Sequence, residues 1–234
     1  LDAIVQIVQA HPAGPVTMPD ELCRFYENNK SRFADKRIGI ARDGAFTFYY
    51  EASLDMLREL GAQLVPISPL TDRELPEDLD ALYMGGGFPE VFAAQLSDNT
   101  LFRRNLRDRL ENGLRCYGEC GGFMYLARSI TTLEKETYEM VGLFNADCVM
   151  TERLQRFGYV TVDFEGLRFG AHEFHHSYMD GEDLDYRYRV EKHRDGTLMK
   201  NWQCGAQYKN TLAGYPHVHF YAEPNFVTKV LSDG

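Results

Sequence analysis

The chain is short of positive charge, of long apolar runs and of cysteines in paired spacing. Twenty-five Lys and Arg stand against thirty-five Asp and Glu, for a net charge of −10. Nucleic acid and anionic membrane are therefore excluded as main partners, since phosphate binding needs a cationic face. No run approaches the ~18 apolar residues of a membrane span, and the start does not read as a signal peptide. No G-x-x-x-x-G-K-[ST] occurs, so the chain carries no ATP site of the P-loop type. Internal repeats and low-complexity tracts are also lacking. The five cysteines, Cys23, Cys116, Cys120, Cys148 and Cys204, are odd in number and irregular in spacing. That spacing fits neither a disulfide framework nor a zinc ribbon, and it points to a reducing cytoplasm.

With 234 residues, 44% of them hydrophobic, the chain can bury one sizeable core. It begins at Leu1. Residues 1 to 36 read as a linker or the tail of a missing N-terminal domain, with a helix over 1 to 9 and another helical stretch over 21 to 33. Residues 37 to 234 read as the main domain. Strands are expected at 37–41, 63–67, 79–84 and 115–119. They alternate with helices at 51–60, 90–95 and 100–112, so the first half is a parallel α/β sheet. The second half is richer in strands, at 141–150, 157–164, 186–191 and 213–220. A final helix closes the chain at 226–231. Ligands of such sheets bind at the carboxyl ends of the strands. Two glycine-rich turns lie there, Gly85-Gly86-Gly87 and Gly118-Glu119-Cys120-Gly121-Gly122.

The second turn has the pattern G-x-C-x-G, the thiol form of a nucleophile elbow. A sharp strand-to-helix turn would hold Cys120 out, with the helix N-terminus aimed at its sulfur. A nucleophilic cysteine needs a base, because a free thiol titrates near 8.5. His217 and His219 are the candidates; one of them is expected to face Cys120, and the residues alone leave the choice open. The Gly85 to Gly87 turn reads as a backbone donor facing the sulfur, or as an ordinary tight turn. His172-Glu173-Phe174-His175-His176 is a literal H-E-x-x-H. It binds zinc when it lies on a helix, but no helical face is evident and no third ligand appears, so no metal is assigned.

Taken in order, five stretches resemble one family: Asp43 to Tyr50, Leu82 to Glu90, Gly118 to Leu126, His172 to Ser177 and His217 to Phe220. The resemblance is to the glutamine amidotransferase domain of the cobyrinic acid a,c-diamide synthase family, and it covers about residues 37 to 225. It implies a flavodoxin-like class I glutaminase fold with a mainly parallel central sheet flanked by helices. Cys120 then matches the nucleophile and His217 its histidine, while Gly86, Gly87 and Gly121 match the oxyanion hole. Many triad amidotransferases place Glu two residues after the histidine; here that position is His219, and Glu173 is the candidate third partner. The implied activity is glutamine hydrolysis through a cysteine thioester. The ammonia would amidate the a and c carboxylates of cobyrinate or a related tetrapyrrole, in cobalamin biosynthesis. Glutamine is the implied small-molecule partner, and the tetrapyrrole is reached through the N-terminal synthetase domain. A homodimer is one expected assembly, and the residues leave the oligomeric state open. No cofactor is expected in this chain; ATP and Mg²⁺ belong to the synthetase domain. A cysteine peptidase on a similar fold, a degenerate binding module and a nickel sirohydrochlorin substrate are the alternatives.

Overall fold

The computed structural model describes residues 17–232. The helix read over 1 to 9 lies outside them. A nine-stranded mixed sheet organises the molecule. Five neighbours in it are parallel: β15 (Thr211–Gly214), β6 (Arg115–Glu119), β4 (Ala81–Met84), β1 (Arg37–Ala41) and β3 (Gln63–Ile67), in that order across the sheet. β1, β4 and β6 are almost wholly buried, as parallel strands covered on both faces must be. The helices between them are amphipathic. Helix α1 (Asp20–Asn29) buries Phe25, and α2 (Glu51–Glu59) buries Leu54, Met56 and Leu57. Short α3 (Ala93–Asp98) precedes α4 (Thr100–Glu111), which buries Phe102, Leu106 and Leu110 at a four-residue spacing. No helix among the described residues is long and apolar enough to cross a membrane.

The other half of the sheet is antiparallel. It contains β10 (Arg156–Phe164), β11 (Leu167–His175), β13 (Asp185–Arg194) and β14 (Thr197–Tyr208). The order runs β11-β10-β13-β14, and β14 then pairs with β15 to join the two halves. A single antiparallel bridge, His172 to His217, links the outermost strand β11 to the chain beyond β15. The antiparallel half therefore curls back on itself, and the junction falls at His217. Smaller sheets pair β2 (Phe46–Phe48) with β5 (Gly86–Gly87), and β7 (Ser129–Thr131) with β8 (Thr137–Glu139), β9 (Asp147–Met150) and β12 (Ser177–Asp180).

The first-half strands and helices fall close to their expected places. The strand expected over 141–150 is confined to β9. The amides of Val141, Gly142 and Leu143 instead donate to the carbonyls of Tyr125, Ala127 and Leu126, at the end of α5 (Gly121–Leu126). Helix ends leave such carbonyls without intrahelical partners, and this loop supplies donors to them. The third helix begins at Ala93 rather than Glu90, after turns at Phe88–Val91 and Pro89–Phe92.

Beyond β15, a 3-10 turn (Phe220–Ala222) leads to α6 (Pro224–Leu231). The helix starts with Pro at its first position, and the Glu223 side chain accepts from Asn225 N at 3.1 Å. Its Phe226 ring lies 5.0 to 5.7 Å from those of Tyr117, Phe164 and Phe169 and so ties the two halves of the sheet together. Phe226 is wholly buried. Phe226→Ala is expected to cost about 3–5 kcal/mol of stability, read as a lower denaturant midpoint at unchanged m-value.

Candidate active site

Strand β6 ends at Glu119, and the next residue leaves strand geometry abruptly. Cys120 has φ 46° and ψ −100°, a left-handed conformation that costs a non-glycine residue roughly 1–3 kcal/mol. Hydrogen bonds hold it there. The Cys120 amide donates to Gly214 O at 2.7 Å, and the Gly122 amide donates to Gly85 O at 3.1 Å. There is no room for side chains around this turn. A Cβ on Gly122 would lie 2.3 Å from the Met84 carbonyl oxygen, and one on Gly86 would lie 2.4 Å from Cε1 of His217. Gly121 opens α5, so its N–H has no intrahelical acceptor. It adjoins β5: a Cβ on Gly121 would lie 3.0 Å from the amide nitrogen of Gly87. The expected turn at Gly85 to Gly87 is thus a short strand edge beside the elbow.

His217 reaches this elbow from the junction of the two half-sheets. Its backbone exchanges two hydrogen bonds with His172, at 2.8 and 3.0 Å. Its ring packs edge-on against Phe48, with centroids 4.6 Å apart. The Cys120 thiol is close enough to that ring to raise its pKa. Its Nδ1 is 3.6 Å from Oε2 of Glu119, an ion-pair distance longer than a hydrogen bond. Glu119 is 1% exposed. It accepts hydrogen bonds from Tyr117 OH at 2.8 Å, Tyr83 OH at 3.0 Å and Val218 N at 3.0 Å. Burial alone would lower the pKa of His217. Cys120 and Glu119 outweigh burial and push it up to about 10.

In a regular strand His217 and His219 would share a face. The chain leaves the strand at Gly214, and the two rings part. His219 precedes the 3-10 turn, with its ring against Tyr50 at 4.8 Å and Tyr221 at 5.7 Å. His217 is the one beside Cys120.

Glu173 is not beside it. The H-E-x-x-H stretch runs along the end of strand β11, with His176 just beyond it, and not on the helix that zinc binding by this motif requires. Alternation along the strand turns His172 and Phe174 toward the catalytic side and buries Ala171, Glu173 and His175 on the other. Phe174 brings its carbonyl to 4.0 Å from the Cys120 sulfur. The Glu173 carboxyl enters a separate cavity of about 140 Å³ with Arg156, Lys192 and Trp202. Burial pushes its pKa up to about 7, against the opposing pull of Arg156 and Trp202. The acidic neighbour of His217 is Glu119, which sequence reasoning passed over as a strand residue. Its signal was present: an acid inside an otherwise uncharged, buried strand end, two residues after Tyr117. A larger cavity of about 770 Å³, lined by Arg103, Arg107 and Arg128 among others, does not include Cys120 or His217.

Residues 37–225 match the model of the CobB/CobQ-like glutamine amidotransferase domain. A protein of Listeria innocua named cobyrinate a,c-diamide synthase is 42% identical over 86% of this chain and 46% of its own length. A protein of the same name from Caldanaerobacter subterraneus is also 42% identical, over 88% of this chain and 47% of its own. The chain thus spans about half the length of the curated relatives it matches. Among solved structures, a glutamine amidotransferase superposes with TM-score 0.57 at 20% identity, covering 83% of this chain and 96% of that one. A GMP synthase-type protein of Thermoplasma acidophilum gives TM-score 0.54 at 16% identity, covering 83% and 92%. These structures share the fold.

The buried carboxyl of Glu173 makes stability depend on pH. The folded-state pKa of Glu173 lies above the unfolded value of 4.5. Its contribution to stability is therefore fully present below about 4.5 and is lost as pH rises through about 7. The loss amounts to roughly 3 kcal/mol. Glu173→Gln is expected to raise Tm by several degrees at pH ~8 and to leave it unchanged at pH ~4. Thermal melts at the two pH values check this.

Proposed function

The chain belongs to the CobB/CobQ-like glutamine amidotransferase domains, and on that premise we propose that it hydrolyses glutamine through Cys120 to supply ammonia to a synthetase unit. The observation that carries this reading is the buried line Glu119–His217–Cys120 at a strained elbow. A histidine with a pKa near 10 is an imidazolium at neutral pH, so it holds the proton that a departing nitrogen needs.

In the proposed reaction the Cys120 sulfur attacks the carboxamide carbon of glutamine. The C–S bond forms as the carbonyl π-pair moves onto oxygen. Backbone N–H groups of Gly121 and of the Gly86–Gly87 edge receive that oxyanion. As the tetrahedral adduct collapses, the C–N bond breaks. His217 gives its proton to the departing nitrogen, and ammonia leaves a γ-glutamyl thioester. Water then attacks the thioester carbon while His217 takes its proton. Glutamate is released and the Cys120–His217 pair is restored. Glu119 orients the imidazole and stabilises its charged form, the role of the acid in a catalytic triad. Glu173 takes no part.

The relatives named cobyrinate a,c-diamide synthase support the destination of the ammonia. The proposed acceptors are the a and c side-chain carboxylates of cobyrinate, activated with ATP and Mg²⁺ by a synthetase unit outside this sequence. The synthetase half of a relative is the natural partner for assay. With it supplied in trans, glutamate release is expected from the wild-type chain. Cys120→Ala should lower it by about 10⁴-fold or more. Glu119→Gln should lower kcat by about 10²-fold while changing KM little, because its interaction matters most when His217 is charged in the transition state. Absence of glutamate release from the wild-type chain with its partner present would overturn the proposal.

A further inference from the structure

Between β15 and α6 the chain that carries His217 has little regular structure, so its position depends on what ties it down. Within the family-matched residues Tyr215 bonds to Cys204 and Ser177, and beyond it His217 pairs with His172, the Val218 amide donates to Glu119 at 3.0 Å, and the Phe220 amide donates to Ser53 Oγ at 3.1 Å. A further tie comes from outside residues 37–225. Tyr26, on helix α1, donates its phenol proton to Glu59 Oε2 at 2.6 Å. Its oxygen is then left to accept from the Tyr221 hydroxyl at 2.9 Å, which fixes the direction of that bond.

From Tyr221 a string of ring contacts leads to the catalytic histidine. Tyr221 meets His219 at 5.7 Å, His219 meets Tyr50 at 4.8 Å, Tyr50 meets Phe48 at 5.5 Å, and Phe48 meets His217 at 4.6 Å. Helix α1 is itself anchored by buried Phe25 and partly buried Leu22. His219, which occupies the position where many triad enzymes carry Glu, has here become a link in this string.

Resting on the function proposed above, we propose that Tyr26 is a positioning residue for His217. Helix α1, although outside the family domain, holds the catalytic segment in register through Tyr26–Tyr221 and the rings that follow. The chain leading into the domain can therefore set the alignment of His217 without touching glutamine. Displacements of about 1 Å at a reacting group are enough to cost up to about 10²-fold in rate, so a modest shift of this segment should be visible in kcat.

The test uses the full chain with Tyr26→Phe, Tyr221→Phe and the double variant. Each single change keeps the ring and removes the Tyr26–Tyr221 hydrogen bond; Tyr26→Phe also removes the bond to Glu59, which lies off the path to His217. The expected result is a roughly tenfold fall in kcat for glutamine hydrolysis at unchanged KM, the same for both singles and the double, since the pair acts as one unit. Alkylation of Cys120 by iodoacetamide at neutral pH, read by mass spectrometry, should slow in parallel, because a misaligned His217 activates the sulfur less. Leu110→Ala, which opens the core beneath α4 but leaves α1 and both phenols in place, should lower Tm and leave kcat and alkylation unchanged. Unchanged kcat and alkylation in the phenol variants would overturn the proposal. So would multiplying effects in the double variant, or an equal kcat loss in Leu110→Ala. The alkylation arm needs no turnover. A wild-type chain that fails to cleave glutamine but still shows the parallel slowing would therefore sink the glutaminase reading alone.

Discussion

The buried carboxylate of Glu119 is the constraint on which the catalytic region depends. A carboxylate removed from water is tolerated only where donors replace the lost hydration. Here the parallel register that pairs Tyr83 with Tyr117 sets their rings 5.4 Å apart, so both hydroxyls converge on one side chain. The Val218 amide completes the set. That last bond draws the end of the chain onto the first half of the sheet, and His217 comes with it. Glu119 and Cys120 are adjacent in sequence, yet both address the same imidazole. The positive φ at Cys120 is what turns the sulfur around to meet it. Backbone strain and a buried charge thus form one device.

The two half-sheets divide the work. The parallel half supplies the elbow, the buried acid and the glycine edge at its strand carboxyl ends. The antiparallel half supplies position. Strand β11 closes onto the chain beyond β15 through the His172–His217 bridge and places the Phe174 carbonyl near the sulfur. The rings of Phe48 and His172 then border the imidazole. Phe226 locks the halves together from beneath by packing on strands of both. Stability and catalytic geometry are linked because one junction serves both.

Much of this was legible in the residues, and the exceptions have physical causes. The strands at 37–41 and 63–67 and the helices at 51–59 and 100–111 follow from hydrophobic period and from glycine and proline stops. The elbow could be read because a reactive cysteine between glycines has few other uses. Strand β14 is not legible because its first half is exposed, Leu198 and Met199 included, so its sequence lacks the alternation that marks a half-buried strand. Glu173 drew attention because it sits in a named motif, but strand alternation sends it to the wrong face. Glu119 was overlooked because a carboxylate next to a nucleophile looks like part of a turn. Only the neighbouring strand, with Tyr83, shows that it is a buried acceptor. Which of His217 and His219 faces the sulfur could not be read from residue spacing, since the answer depends on where the chain abandons strand geometry.

The central claim is that Cys120, paired with His217, carries the glutamyl group. The most direct measurement is the mass of the protein after brief incubation with glutamine and acid quench, followed by peptide mapping. The account predicts an increment of one γ-glutamyl group, carried by the peptide containing Cys120 and absent from Cys120→Ala. A glutamyl group on Cys23, Cys116, Cys148 or Cys204, or glutamate released at the wild-type rate by Cys120→Ala, would contradict it.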